Sequence, residues 1–209
     1  MCGTVHALGQ NRVVPKIVDH DLRRASIIDG FLRVVARDGI DGATTRSVSD
    51  ELGVSTGSLW HYFPNFDALI TGAAARVMED TTRRISAASA GARGLARLYA
   101  IMGELLPLRR DTRDEAAIIV NFWGRVSTRS VLAHAVGSDE TWWLDVREAI
   151  GEAVADGELR EDVSVEGLVH LLASVTYGQQ VAQVADPTVA PEQHLAVVDA
   201  ALSPWLHHH

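Results

Sequence analysis

Residues 44–63 constrain this chain more than any other stretch. They read Thr-Thr-Arg-Ser-Val-Ser-Asp-Glu-Leu-Gly-Val-Ser-Thr-Gly-Ser-Leu-Trp-His-Tyr-Phe. Thr44 suits the N-cap of one short helix and Ser55 the N-cap of a second, because a hydroxyl can accept from the free N–H groups of a first turn. Gly53 between them can adopt the positive φ of a tight turn. Val48 and Leu52 give the first helix a small inward face. Leu59 and Phe63 anchor the second, and Pro64 stops it. Two short helices around a glycine turn form the helix-turn-helix pattern, whose second helix enters the DNA major groove.

The flanks read as helix as well. Ile27, Ile28, Phe31, Leu32 and Val35 recur at spacings of three and four, so a helix is expected from Asp21 to a stop at Gly39. Asp41-Gly42 makes a turn. Further helices are expected over 66–85, 96–106, 111–126, 130–155, 164–184 and 191–202. Breaks fall at Gly91–Gly94, Pro107, Asp156-Gly157 and Asp186-Pro187. No strand alternation and no internal repeat is visible. The expected fold is all-α with about nine helices. Its parts are a flexible arm (1–18), a three-helix DNA-binding domain (19–66), a helical ligand-binding and dimerisation domain (67–204) and a tail (205–209). His207 to His209 in that tail resemble a purification-tag remnant.

Charge sharpens this division. Residues 1–66 carry 7 basic and 7 acidic side chains, whereas 67–209 carry 12 and 20. The net charge of −8 therefore lies wholly outside the helix-turn-helix end, which is left as the surface able to approach a polyanion. Lys16 is the single lysine, so phosphate contacts must come from arginine, hydroxyls and backbone N–H groups. Cys2 is the single cysteine, which excludes an internal disulfide and a cysteine-based zinc site. No apolar run spans a bilayer and no signal-peptide pattern opens the chain, so a cytoplasmic location is expected.

With these motifs in hand, the chain resembles the TetR family of bacterial transcriptional regulators. The stretch from Thr44 to Leu69 matches the family's threonine-capped helix, its Gly-Val-Ser turn, the glycine of its recognition helix and the closing aromatic-Phe pair. Residues 112–204 are similar to the C-terminal domain of the BetI-like branch, through Phe122-Trp123, Trp142-Trp143, the Tyr-Gly after Val175 and the Asp-Pro break. The resemblance implies a homodimeric repressor, bound to a pseudo-palindromic operator and released by a small molecule. No cofactor or metal is implied.

At the DNA end, Ser55, Thr56, Gly57, Ser58, Trp60 and His61 are expected around the outer face of the recognition helix. None of them can make the bidentate base contacts of Arg or Asn, so phosphate clamping and DNA shape should carry much of the specificity. Thr44, Thr45 and Arg46 open the preceding helix, where free N–H groups suit anions. The resemblance implies phosphate contacts from Thr45, Arg46, His61 and Tyr62. Two positions depart from the family. Trp60 stands where tyrosine is usual, and Phe66 stands where lysine is usual. The second loses a positive contact, so either affinity is lower or Arg23 and Arg24 compensate.

At the other end, Met102, Phe122, Trp123, His134, Trp142, Tyr177 and Gln180 are candidates for an apolar ligand pocket with a few polar groups. The helices 164–184 and 191–202 are apolar on more than one face, which suits a dimer interface. Two other classes of function compete. One is an all-helical protein-interaction module. The other is an enzyme, for which the chain offers no nucleophile elbow, phosphate loop or His-Glu-x-x-His helix.

Overall fold

The computed structural model describes residues 16–126 and 141–207, and the described residues form nine α-helices. These are α1 (Lys16–Gly42), α2 (Thr45–Leu52), α3 (Thr56–Tyr62), α4 (Phe66–Ala88), α5 (Gly94–Leu105), α6 (Arg110–Val126), α7 (Thr141–Ala155), α8 (Val165–Ala185) and α9 (Pro191–Leu202). No described helix is long and apolar enough to cross a membrane. The all-α architecture agrees with the sequence pattern, including the helix breaks at Pro107 and Asp186-Pro187.

Two boundaries differ from expectation, and the first part of the helix expected over 130–155 lies outside the described residues, which resume at Thr141. The first helix is already formed at Lys16, where the described residues begin, rather than starting at Asp21. Residues 16–18 of the expected arm are therefore helical, and 1–15 lie outside the described residues. The expected tail is tied down as far as His207. Leu206 forms an isolated antiparallel bridge with Leu159. The Arg160 N–H donates to the Trp205 carbonyl at 2.9 Å, and the His207 N–H donates to the Glu158 carbonyl at 3.2 Å.

Side chains bury into two cores. One is built on α1–α4 from Phe31, Leu59, Phe63, Leu69 and Ile70, each at most 1% exposed. The other lies among α5, α7, α8 and α9, around Leu98, Ile101, Ile150, Leu172 and Val198. The division does not fall at residue 66. Leu69 to Val77 of α4 belong to the first core and Ile85 to the second. On α6, Ile118, Ile119 and Phe122 complete the first core. Helices α4 and α6 are thus shared, and neither half is closed without them.

Candidate nucleic-acid interface and ligand cavity

The backbone of α2 and α3 is set by short-range hydrogen bonds. The Ser47 N–H donates to Thr44 Oγ1 at 3.2 Å, while the Thr44 N–H donates to Ser47 Oγ at 2.8 Å, closing a capping box. Gly53 sits at φ 64, in the left-handed region. From there the Gly53 N–H reaches the Asp50 carbonyl at 3.2 Å and the Val54 N–H reaches the Ser49 carbonyl at 3.0 Å, which is a Schellman closure. A side chain at Gly53 would strain this φ. The Ser58 N–H donates to Ser55 Oγ at 3.2 Å and starts α3.

This scaffold leaves Thr56, Gly57, Ser58, Trp60 and His61 exposed, with Leu59 buried beneath them. Thr45 is half-buried in the first turn of α2. Thr44 and Ser55 are exposed but commit their hydroxyl lone pairs to capping. Tyr62 is half-buried, with the His20 ring 4.9 Å away and the His61 ring 5.2 Å away.

Arg24, Arg33 and Arg37 are engaged within the protein. Arg33 and Arg37 both pair with Glu51, at 2.8 and 2.7 Å. Arg24 donates to the Tyr62 carbonyl and lies 4.3 Å over the Phe63 ring, a cation–π contact. Arg24 therefore braces the end of the recognition helix and is not spare for phosphate. Arg46 differs, with its side chain 90% exposed and Asp50 as a distant neighbour at 3.9 Å. Phe66 is half-buried, with its ring in edge contact with Phe31 at 5.8 Å. The family lysine is thus exchanged here for a core-packing ring.

In the second half, α4, α5, α6, α7 and α8 enclose a cavity of about 40 Å³. Trp123, Trp142, Tyr177 and Gln180, all expected in a pocket, line it. Met102 does not. It is fully buried in the C-terminal core. Phe122 does not line it either. Neighbouring residues on a helix point about 100° apart, so Trp123 faces the cavity while Phe122 completes the first core. His134 lies outside the described residues.

The cavity wall also carries residues that the sequence reading missed, namely Met78 and Thr81 of α4, Glu104 of α5, and Thr112 and Glu115 of α6. Their organiser is Arg84. Its guanidinium donates to both Glu115 carboxylate oxygens, at 2.9 and 2.7 Å, and to Glu104 Oε2 at 3.0 Å. Arg109 also meets Glu104, at 2.7 Å. Burial pushes the Glu115 carboxyl above its ordinary range, against the pull of Arg84. Burial opposes the charge on Arg84 too, but Glu115 and Glu104 outweigh it and raise its pKa. Arg84 is one of six charged residues on α4, and nothing local says that its partner is 31 residues away.

Two cavity residues, Val77 and Ile119, are also members of the first core. At these points the wall between the cavity and the helix-turn-helix half is one side chain thick.

Comparisons with known proteins agree with this layout. Residues 27–80 match the model of bacterial regulatory proteins of the tetR family, and residues 94–207 match that of the BetI-type transcriptional repressor C-terminal domain. The chain is 39% identical over 119 residues to the HTH-type transcriptional regulator BetI of Burkholderia mallei, covering 54% of this chain and 58% of that one. It is 33% identical over 108 residues to the HTH-type transcriptional regulator PksA of Bacillus subtilis, covering 50% and 52%. The chain thus spans little more than half the length of these curated relatives. A transcriptional regulator from Saccharomonospora viridis, solved in complex with choline, superposes with a TM-score of 0.76 over 90% of this chain and 100% of its own, at 18% identity. A TetR regulator from Haloarcula marismortui gives 0.72 over 90% and 100%, also at 18%. At such identities the likeness shows the fold.

Proposed function

The chain belongs to the TetR family of bacterial regulators, with a BetI-type C-terminal domain, and from this premise we propose that it is a homodimeric transcriptional repressor released from its operator by a small-molecule effector. The observation that carries the reading is the exposed recognition helix α3 on a core that shares Val77 and Ile119 with the cavity. A molecule that parts the cavity walls presses on the same side chains that seat α1 and α4. DNA binding requires the two recognition helices of a dimer to lie about 34–36 Å apart. An effector that favours another spacing lowers operator affinity by its preference for that shape.

At the interface, Arg46, Thr45, His61 and Tyr62 hold phosphates, and Thr56, Gly57, Ser58 and Trp60 approach base edges in a pseudo-palindromic site. The dimer forms through α8 and α9. On α8 the outward residues include Leu171 (44% exposed) and Val181 (48%), with the small Gly167, Ser174 and Gly178 beside them. On α9, Ala196 and Ala200 face outward. Trp123, Trp142, Tyr177 and Gln180 contact the effector, and a structural neighbour solved in complex with choline supports a small-molecule effector. The protein acts in the cytoplasm.

The test is fluorescence anisotropy of the full chain on DNA from its own upstream region, at low and moderate salt. Affinity should survive competitor DNA and fall steeply with salt, since each neutralised phosphate releases counterions. A flat salt response counts against the reading. So does unchanged affinity in a folded His61→Ala, Tyr62→Ala variant, which would favour a protein-interaction module.

A further inference from the structure

We propose that the cavity selects an uncharged molecule bearing a hydrogen-bond donor, and that Gln180 Oε1 is the atom that reads this donor. The inference rests on the effector role of the cavity and names the chemical class it takes.

The orientation of the Gln180 amide is fixed by its other end. Nε2 donates to the Leu105 carbonyl at 3.2 Å, 75 residues away, which leaves Oε1 as the opposite atom. Gln180 lines the cavity. Its Oε1 is fully buried and has no hydrogen-bond partner among the described residues. An amide oxygen is an acceptor only, so the group that completes it must bring an N–H or an O–H. A buried acceptor left unmade is costly, and a site built around one rejects analogues that lack the donor.

Three other polar side chains of the wall are already engaged. Thr81 Oγ1 accepts from Arg84 at 3.1 Å. Thr112 Oγ1 accepts from the Arg109 N–H at 3.0 Å and donates back to the Arg109 carbonyl at 3.1 Å. The indole N–H of Trp142 donates to Thr82 at 2.7 Å.

Charge argues for a neutral ligand. The two carboxylates of the wall, Glu104 and Glu115, are matched by the guanidinium groups of Arg84 and Arg109. A cation gains an anionic partner here only by displacing Arg84, which holds Glu115 through two hydrogen bonds at once. Trp123 and Tyr177 pack edge to face at 5.0 Å, and Val77, Met78, Leu105, Ala116 and Ile119 complete an apolar wall. The volume of about 40 Å³ is well below the roughly 150 Å³ that holds a benzene, so an aromatic ligand enters only by moving these rings.

Phenol and anisole provide the test, since methylation removes the O–H and leaves the ring. Calorimetry on the full chain should show phenol binding about tenfold tighter than anisole, the factor that one satisfied buried acceptor supplies. Gln180→Met, close in length and shape, should abolish that preference by weakening phenol alone, with an unchanged far-ultraviolet dichroism spectrum as the folding control, since losing the Leu105 hydrogen bond lowers the melting temperature. The wild-type pair stands without the variant. Equal affinities for phenol and anisole would overturn the proposal. So would tighter binding of tetramethylammonium, a donor-free cation, or no binding of either aromatic at millimolar concentration. Operator anisotropy separates this from the regulatory reading. Phenol that binds through Gln180 but leaves operator affinity unchanged would keep the ligand class and remove the effector role. Operator binding with an empty calorimetric result would do the reverse.

Discussion

The side chains that shape α2 and α3 act on their own neighbours, whereas those that shape the cavity act at a distance. Thr44 caps through Ser47 and Ser55 through Ser58, each three residues on. Arg84 reaches 20 residues to Glu104 and 31 to Glu115, and Gln180 reaches 75 to Leu105. The DNA end is therefore specified by short sequence words that hold wherever they occur. The cavity exists only when five helices have assembled. Such a division suits a regulator, because the reading surface must keep its shape while the sensing wall must be able to change.

The largest expected effect tests whether the two ends are one cooperative unit. Phe31 is completely buried in the first core, and Phe31→Ala should cost about 3–5 kcal/mol from lost transfer energy and the cavity left behind. Because Val77 and Ile119 serve both the first core and the cavity wall, tryptophan fluorescence and far-ultraviolet dichroism should report one shared transition in urea. If the cavity tryptophans outlast the helix-turn-helix, the shared wall transmits less than the geometry implies.

Arg84 comes next. Its side chain is 26% exposed and that of Glu115 is 20%, so the pair is neither dry nor fully solvated. Arg84→Leu should cost about 2 kcal/mol, between the roughly 1 kcal/mol of exposed pairs and the roughly 3–5 kcal/mol of buried ones. Glu115→Gln should cost less, because burial already opposes that carboxylate while the arginine keeps Glu104. Thermal unfolding of the two variants measures this asymmetry, and equal losses would mean that the charge on Glu115 is not penalised by its setting.

At the DNA end the local words predict smaller numbers. Thr44→Ala removes an N-cap and should lower stability by about 1 kcal/mol, with Thr44→Ser close to wild type in a melting experiment. Arg46→Ala should leave stability unchanged, since the side chain contacts only a distant Asp50. Its mark should be on binding, where the slope of log affinity against log salt should flatten by about 0.9 on every DNA sequence alike. A sequence-dependent loss would move Arg46 from phosphate to base.

The same contrast explains what could be read in advance. The caps, the Gly53 turn and the inward Leu59 and Phe63 depend on nearest neighbours and the helical period, and both are visible in a sequence. Trp123, Trp142, Tyr177 and Gln180 stood out because large or polar side chains break an apolar pattern. Phe122 and Met102 stood out for the same reason, but which face of the bundle each would meet depends on helices far along the chain. Thr81, Glu104 and Glu115 looked like ordinary surface positions until α4, α5 and α6 met. Arg24, held by the Tyr62 carbonyl and the Phe63 ring, looked available for DNA for want of the same information.

The smallest effect lies between the proposed dimer helices and depends on pH. His194 of α9 is completely buried, with Nδ1 2.7 Å from Gln179 Oε1 and Nε2 3.0 Å from Gln183 Oε1, both on α8. A neutral ring donates to one amide, and the other amide must turn its NH₂ toward the second nitrogen. Burial, with Arg113 of α6 adding to it, holds the ring below its ordinary value of 6.5. The unfolded chain therefore binds more protons than the folded one just below pH 6.5, and stability must fall as pH falls through that window. Glu115 works in the opposite sense at lower pH. Its carboxyl keeps a proton longer in the folded state, so its contribution falls as pH rises above 4.5. Denaturant titrations between pH 5 and 7.5 should show the acid loss in the wild type and a flatter profile in His194→Gln. An unchanged acid slope in that variant would place the titrating group elsewhere and leave the α8–α9 contact indifferent to protons.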